Sequence, residues 1–163
     1  MKYTLKLLTE KNAVEVQELL EQSPNYFLKV EGKLPPKDAA LKEFRELPPN
    51  FSRENKYNFG FYEDDLLIGF IDILNGYPDK EIAYLGLLLL SESYQKKGLG
   101  KIAFHLVESQ TRKWQSKKIR LSVAQSNDVA DFWSKMGFVA TGRILTAHNP
   151  EILSQVIEME KIL

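Results

Sequence analysis

The chain has 163 residues, the length of a single domain, and it lacks cysteine, which excludes disulfides, a thiolate nucleophile and a Cys-ligated zinc. Apolar residues make up 44% and charged residues 27%, which are globular values that exclude bulk disorder. Lysine plus arginine and aspartate plus glutamate are balanced at 22 each, so the basic excess typical of nucleic-acid and membrane-surface proteins is missing.

The sequence also lacks the signals of secretion and membrane insertion. The first residues, MKYTLKLLTE, do not contain the apolar stretch of a signal peptide. The longest apolar run, residues 82–90, is about half of the roughly 20 residues that a spanning helix needs. Two histidines are too few for a His-rich metal site. We therefore expect a cytoplasmic protein with one domain over residues 1–163, no bound metal, and no nucleic-acid or membrane partner.

The predicted elements begin with a strand over residues 3–8 and a helix that Thr9 opens, with Asn12 as an alternative cap. Five prolines then punctuate residues 23–58. Within this region only KDAALKEFREL carries apolar residues at helical spacing. The pattern predicts a short second helix inside a loop-rich region.

The period changes after residue 58. NFGFYED and LLIGFIDILNGY predict a hairpin with a turn at Asp64-Asp65, and EIAYLGLLLL predicts a central strand covered on both faces. Gly86 interrupts that last run, which indicates either a bulge or the close approach of another group.

The second half of the chain alternates between helices and strands. A glycine-containing loop leads into a helix through Trp114, and KKIRLSVAQ predicts the next strand. NDVADFWSKM predicts a short helix with Gly137 as its C-terminal cap, followed by strands from Phe138 to about Leu145 and over SQVIEMEKIL. The order β-α-α-β-β-β-α-β-α-β-β predicts a single α/β domain with a mixed sheet.

The loop QKKGLG, residues 95–100, has the composition of a phosphate-binding turn. Its glycines allow a tight backbone and close approach, and the helix that follows presents free N–H groups and the positive end of its dipole. Three lysines add positive charge: Lys96, Lys97 and Lys101. The spacing excludes both a Walker A loop, G-x-x-x-x-G-K-S/T, and a dinucleotide fingerprint, G-x-G-x-x-G.

QKKGLG after a long apolar strand resembles the Q/R-x-x-G-x-G/A motif with which GNAT N-acetyltransferases grip the pyrophosphate of acetyl-coenzyme A. ADFWSKMGF resembles the family's A-x-x-x-Y-x-K-x-G-F ending, and the element order over about residues 3–162 matches as well. The resemblance implies a GNAT-like mixed, mostly antiparallel sheet with flanking helices. It also implies direct transfer of an acetyl group from acetyl-CoA to an amine of a small molecule or peptide. A homodimer is expected by family analogy only.

The resemblance also assigns coenzyme contacts, residue by residue. The backbone of Leu88 and Leu90 should pair with the pantetheine arm, which requires the strand around residues 121–124 to splay away. Ser126 and Asn127 fall near the family's helix-start asparagine, although both could simply cap the helix. The phosphate contacts fall on the loop, namely on Gln95, Lys96, Lys97, Gly98, Leu99, Gly100 and Lys101.

The catalytic residues are less well defined by the resemblance. Trp133 stands where the family has a tyrosine acid, and an indole N–H cannot release its proton, so Trp133 is either a wall beside the thioester or a core aromatic. Asp72 lies in the apolar run GFIDIL and is either a desolvated base or a structural acceptor. Tyr84 falls where some members have a catalytic glutamate, with Glu81 nearby, so water could relay the proton.

The sequence leaves the acceptor and two other classes of function open. The acceptor pocket should come from residues 23–58 and 148–154, whose mixed charges favour no amine class. Because Trp133 stands in place of the family's tyrosine acid, a non-catalytic acyl-CoA-binding or sensor module is the alternative to an acetyltransferase. A nucleic-acid surface made of Arg112, Lys113, Lys117 and Lys118 is a weaker interpretation than a solvated helix end.

Overall fold

The computed structural model describes residues 2–145 and 155–163, and in this part of the chain a seven-stranded sheet carries helices on both faces. The strands are β1 (Tyr3–Leu8), β2 (Lys56–Glu63), β3 (Leu66–Asn75), β4 (Ile82–Leu90), β5 (Lys118–Ala124), β6 (Val139–Leu145) and β7 (Val156–Ile162). The helices are α1 (Ala13–Glu21), α2 (Pro24–Val30), α3 (Ala39–Arg45), α4 (Leu99–Lys113) and α5 (Ala130–Lys135). The predicted loop 148–154 lies outside the described residues.

The predicted element order is confirmed except for one additional helix. Helix α2 lies in the region that the prolines mark as loop-rich, and it has Pro24 in its first turn. A proline there costs little, because the first N–H groups of a helix have no intrahelical partner. The hydroxyl of Thr9 accepts from the amide of Lys11 and so caps a 3₁₀ turn, after which α1 begins at Ala13.

The sheet order is β1-β2-β3-β4-β5-β7-β6, and every neighbouring pair is antiparallel except β4 and β5. The expected mixed, mostly antiparallel sheet is therefore confirmed. Strands β2 and β3 form the predicted hairpin. The parallel pair is joined by α4, which crosses one face of the sheet, as a parallel connection requires.

Two hydrophobic cores lie on opposite faces of the sheet. Helices α4 and α5 cover one face, where Phe104 is fully buried, and α1 and α3 cover the other, where Phe70 is fully buried. Strand β4 contributes alternately to both cores, with Leu85 and Leu90 on the first face and Leu87 and Leu89 on the second. Coverage on both faces explains why β4 reads as an almost continuous apolar run.

The helices of the described chain are also too short or too polar for a bilayer. None of them in residues 2–145 and 155–163 combines the length and hydropathy of a transmembrane span.

Candidate active site

Strands β4 and β5 separate after a short parallel ladder. Residues 82–84 pair with residues 118–120, and the pairing ends there, whereas β5 stays paired with β7 along its whole length. The backbone edges from Leu85 to Leu90 and from Leu121 to Ala124 line a cavity of about 590 Å³. The separation expected around residues 121–124 is thus present, and it leaves main-chain donors and acceptors facing the cavity.

A bulge at Gly86 accompanies the separation. Asp72 of β3 stands opposite Leu87 and Ile73 stands opposite Leu85, so Gly86 is the extra residue of β4. A Cβ atom at Gly86 would lie 2.7 Å from Oδ2 of Asp72, so any other residue there would force the carboxylate or the strand to shift. Both interpretations of this glycine therefore hold, because it forms a bulge and admits a close neighbour. Bulges bend and twist their strand, which turns β4 away from β5.

The turn between β4 and α4 presents a row of amide groups. Lys96 has φ 60° and Gly98 has φ 79°, and α4 begins at Leu99. No protein acceptor for the amides of Lys96, Lys97 and Gly98 is found among the described residues, and a helix leaves its own first amides free. Successive N–H groups in such a turn form a concave site for anions, and the α4 dipole strengthens it.

The side chain of Gln95 holds this turn against β4. Its Nε2 donates to the carbonyl oxygen of Leu90 at 2.8 Å, and its own amide donates to the carbonyl of Glu92 at 3.2 Å. The Leu90 carbonyl also accepts from the hydroxyl of Ser23 at 3.3 Å. The carbonyl at the end of β4 is therefore held by two side chains of the protein, one from this turn and one from the start of α2.

The structure brings most of the expected coenzyme residues to the cavity. Lys97 is directed elsewhere, with its Nζ 5.7 Å from the centre of the Tyr94 ring, and the side chain of Leu99 is buried in the core. The hydroxyl of Ser126 donates to the carbonyl of Lys29 at 2.8 Å and joins α2 to the β5–α5 loop. The expected coenzyme residues that do line the cavity are Leu88, Leu90, Gln95, Lys96, Gly98, Gly100, Lys101 and Asn127.

Asp72 forms a buried ion pair beside the bulge. Its Oδ1 accepts from Nζ of Lys56 at 2.6 Å and from Nδ2 of Asn58 at 2.9 Å. The Lys56 and Asp72 side chains are only 4% and 14% exposed, so burial raises the pKa of Asp72 while the Lys56 charge opposes that rise. Oδ2 has no hydrogen-bond partner among the described residues and lies over Gly86, where the cavity begins.

Tyr84 bridges the two diverging strands. Its hydroxyl lies 2.7 Å from Oγ of Ser122 on β5, and Ser122 lines the cavity. Burial raises the pKa of the Tyr84 phenol. Glu81, in contrast, is exposed and precedes β4 at the end remote from the bulge. Five residues of strand span about 16 Å, so the structure does not bring Glu81 to the cavity.

Trp133 is packed in the core and also reaches the wall of the cavity. It is 8% exposed and packs edge-on against Phe104, Phe132 and Phe138, with ring centres 4.9–5.6 Å away. It also lines the cavity. The indole is thus a core aromatic whose surface forms an apolar wall of the candidate site.

Two further side chains on the α1–α3 face were not predicted from the sequence. Burial, together with the negative charge of Asp72, raises the pKa of Glu43 on α3 to about 7. Tyr26 on α2 lines the cavity, and burial and the charge of Glu43 raise its pKa. Lys56 and Ser122 were missed as well. The one available signal was Asn58, a polar residue between Tyr57 and Phe59, since an amide that is buried among aromatic residues must have a hydrogen-bond partner.

Comparisons with known proteins agree with this geometry. A family model described as the acetyltransferase (GNAT) family matches residues 15–138. No curated protein gives a significant match.

Solved structures resemble the whole chain. An acetyltransferase from Thermus thermophilus has a TM-score of 0.78 at 22% identity, covering 100% of this chain and 98% of that one. The PaiA N-acetyltransferase of Thermoplasma acidophilum, in complex with coenzyme A, has a TM-score of 0.68 at 22% identity, and the match covers 100% of both chains. A chimeric spermidine N-acetyltransferase from Vibrio cholerae has a TM-score of 0.73 at 18% identity, and the match covers 99% of this chain and 96% of that one. At these identities the likeness establishes the fold.

Proposed function

Because the chain belongs to the GNAT family of acetyltransferases, which depend on coenzyme A, we propose that it transfers the acetyl group of acetyl-CoA directly to the primary amine of a small molecule or peptide. The observation that carries the proposal is the cavity between β4 and β5, with unpaired strand edges on its sides and unbonded amides at one end. The expected cytoplasmic location, single domain and homodimer stay predictions.

The residues of the cavity fit the coenzyme. The amides of residues 96–100, with the side chains of Lys96 and Lys101, would hold its pyrophosphate, because they supply converging N–H donors and positive charge. The unpaired edge at Leu88 would bind the amide-bearing pantetheine arm in place of a neighbouring strand. When bound, acetyl-CoA supplies the activated acetyl thioester.

Asp72 is our candidate for the group that deprotonates the acceptor. An ammonium group must lose a proton before its nitrogen can attack a carbonyl carbon, and a partly desolvated carboxylate with a raised pKa suits that task. The open Oδ2 lies at the bulge, where an amine entering the cavity would meet it. Tyr84 and Ser122 stand on the β5 side of the same bulge and would orient the amine or a relaying water.

The chain has no evident acid for the departing thiolate at the family's usual position. Trp133 has no proton to give near neutral pH, so we assign the proton of the thiol to water. The indole and its aromatic neighbours would limit the access of bulk water to the reacting atoms. The oxyanion would be stabilised by a backbone N–H of β4 near Leu88.

The charges of the site do not by themselves select an amine class. Lys56 pairs with Asp72, the pKa of Glu43 is raised to about 7, and the charged residues among the described cavity lining are Lys29, Lys96, Lys101 and Lys135. The Vibrio cholerae neighbour is named as a spermidine N-acetyltransferase, which makes polyamines reasonable first candidates.

The test is a substrate screen of the intact protein. Acetyl-CoA is incubated with polyamines, aminoglycosides, amino acids and peptide N-termini while a thiol reagent records free coenzyme A, and mass spectrometry identifies the acetylated product. We expect acceptor-dependent thiol release that Asp72→Asn lowers strongly. Tight coenzyme binding without release in the presence of any amine would contradict the proposal and favour a binding module.

A further inference from the structure

We propose that Lys56 is the positioning residue of the candidate active site: its buried ammonium keeps Asp72 ionised and leaves Oδ2 as the one oxygen of that carboxylate available to the acceptor amine. This inference rests on the proposed function and extends it to a residue on a different strand. Lys56 does not touch the substrate in this scheme, since it acts through Asp72.

The geometry at Asp72 separates the roles of its two oxygens. Both protein donors bind Oδ1, Lys56 at 2.6 Å and Asn58 at 2.9 Å. Two donors from the same strand prevent rotation of the carboxylate, because rotation would break both bonds. Oδ2 is left over Gly86, where a Cβ atom would lie 2.7 Å away and would push the carboxylate from this position. The arrangement therefore binds one oxygen to β2 and leaves the other beside Gly86, a residue of the cavity lining.

The burial of Lys56 indicates that its charge serves Asp72. Its side chain is 4% exposed, and burying an ammonium is costly unless a partner compensates it. Two nearby glutamates oppose the ionisation of Asp72: the charge of Glu46 raises the pKa of Asp72, and Asp72 and Glu43 repel each other. Without Lys56, burial and these two glutamates would all favour the protonated form of Asp72, which cannot accept a proton from an amine.

The central test is a pair of titrations of wild type and Lys56→Met. In the first, carbon-13 NMR follows the Asp72 carboxyl carbon, which needs no acceptor. An opposite charge at this distance shifts a carboxyl pKa by about 1–3 units, so we expect the pKa of Asp72 to rise by at least about one unit in the variant. In the second, kcat/KM for one acceptor from the screen is measured against pH. The acidic limb should move upward by the same amount, because the amine's own titration is common to both proteins.

The controls distinguish positioning from general damage. Lys42→Met removes an exposed ammonium whose Nζ lies 3.6 Å from Oδ1 of Asp38. This variant should leave both titrations unchanged. Lys56→Arg retains the positive charge and should restore most of the wild-type profile. If Lys56→Met does not fold, Asn58→Ala removes the other donor to Oδ1 and should raise the pKa of Asp72 by a smaller amount.

The outcomes also separate this inference from the proposed function. If Asp72→Asn abolishes the acidic limb but Lys56→Met leaves it and the NMR titration in place, the role of Lys56 is refuted and the role of Asp72 stands. If Asp72→Asn retains wild-type activity and pH dependence, the base assignment fails, whatever Lys56 does to the carboxyl titration.

Discussion

Replacing Glu43 with glutamine should make the protein more stable at neutral and alkaline pH. Burial and the charge of Asp72 raise the pKa of Glu43 from 4.5 to about 7. Between these two values the folded protein holds a proton on Glu43 that the unfolded chain has already lost. The free energy of unfolding therefore falls as the pH rises through this window.

The size of the effect follows from the shift. One pKa unit corresponds to about 1.36 kcal/mol, so a shift from 4.5 to about 7 corresponds to at most about 3 kcal/mol. Glu43 is only partly buried, and screening by solvent lowers the expected difference to about 1–3 kcal/mol. Glutamine has nearly the shape of protonated glutamate and does not titrate. Wild type and Glu43→Gln should thus be about equally stable below pH 4.5 and differ most above pH 7.

The assay is urea unfolding followed by tryptophan fluorescence at intervals from about pH 4 to about pH 8. The difference between the two proteins cancels the titration of all other groups that Glu43 does not affect. Glu18→Gln is the matched control, because Glu18 is exposed on the neighbouring helix α1 and should give a constant difference. A Glu43→Gln difference that stays constant across the whole range would refute the reasoning.

Two further predictions concern the cavity. Gly98→Val should raise the dissociation constant of coenzyme A roughly tenfold or more, because the turn has φ 79° and a side chain on its open side would meet the phosphates that we propose bind there. Isothermal titration calorimetry checks this. Gly142→Val, with φ 90° and equally open space on β6, carries the same backbone strain and should leave that constant within about twofold. Trp133→Tyr should raise kcat in stopped-flow thiol release, because a phenol at the cavity wall can protonate the thiolate, and it should cost about 1–3 kcal/mol of stability. Trp133→Phe loses similar packing without gaining a hydroxyl; equal turnover of the two variants would show that position 133 does not reach the departing thiol.

Much of the fold could be predicted from local sequence patterns. Period-two alternation and turn residues predicted the β2–β3 hairpin. The continuous apolar run predicted that β4 is a central strand buried on both faces. Gly86 indicated the bulge, because a glycine inside a strand is unfavourable without a local reason. Helix α2 could not be predicted in the same way, since Pro24 is a breaker in the middle of a helix and favourable in its first turn.

The candidate site was predictable where it is made of consecutive residues and not where it depends on pairing between strands. The turn at residues 95–100 forms a local motif and could be identified from its glycines and lysines together with the apolar strand before it and the helix after it. The partners of Asp72 depend on the register of β2 against β3, which places Asn58 directly opposite it and Lys56 one diagonal away. The contact between Tyr84 and Ser122 joins residues 38 positions apart. Such contacts follow from the assembled sheet, and no local pattern encodes them.

The short parallel ladder between β4 and β5 links the stability of the protein to the binding of its ligand. Three residue pairs are the only backbone ladder that joins the first four strands to the last three in the described chain. A small molecule that hydrogen-bonds to both unpaired edges would act as an eighth strand inserted between them. Its binding energy would then add to folding, by about 2.7 kcal/mol at a concentration one hundred times its dissociation constant. A fall in the concentration of that small molecule would therefore increase the fraction of unfolded chain that proteases can cleave. The amount of enzyme would then decrease at the same time as the reaction slows.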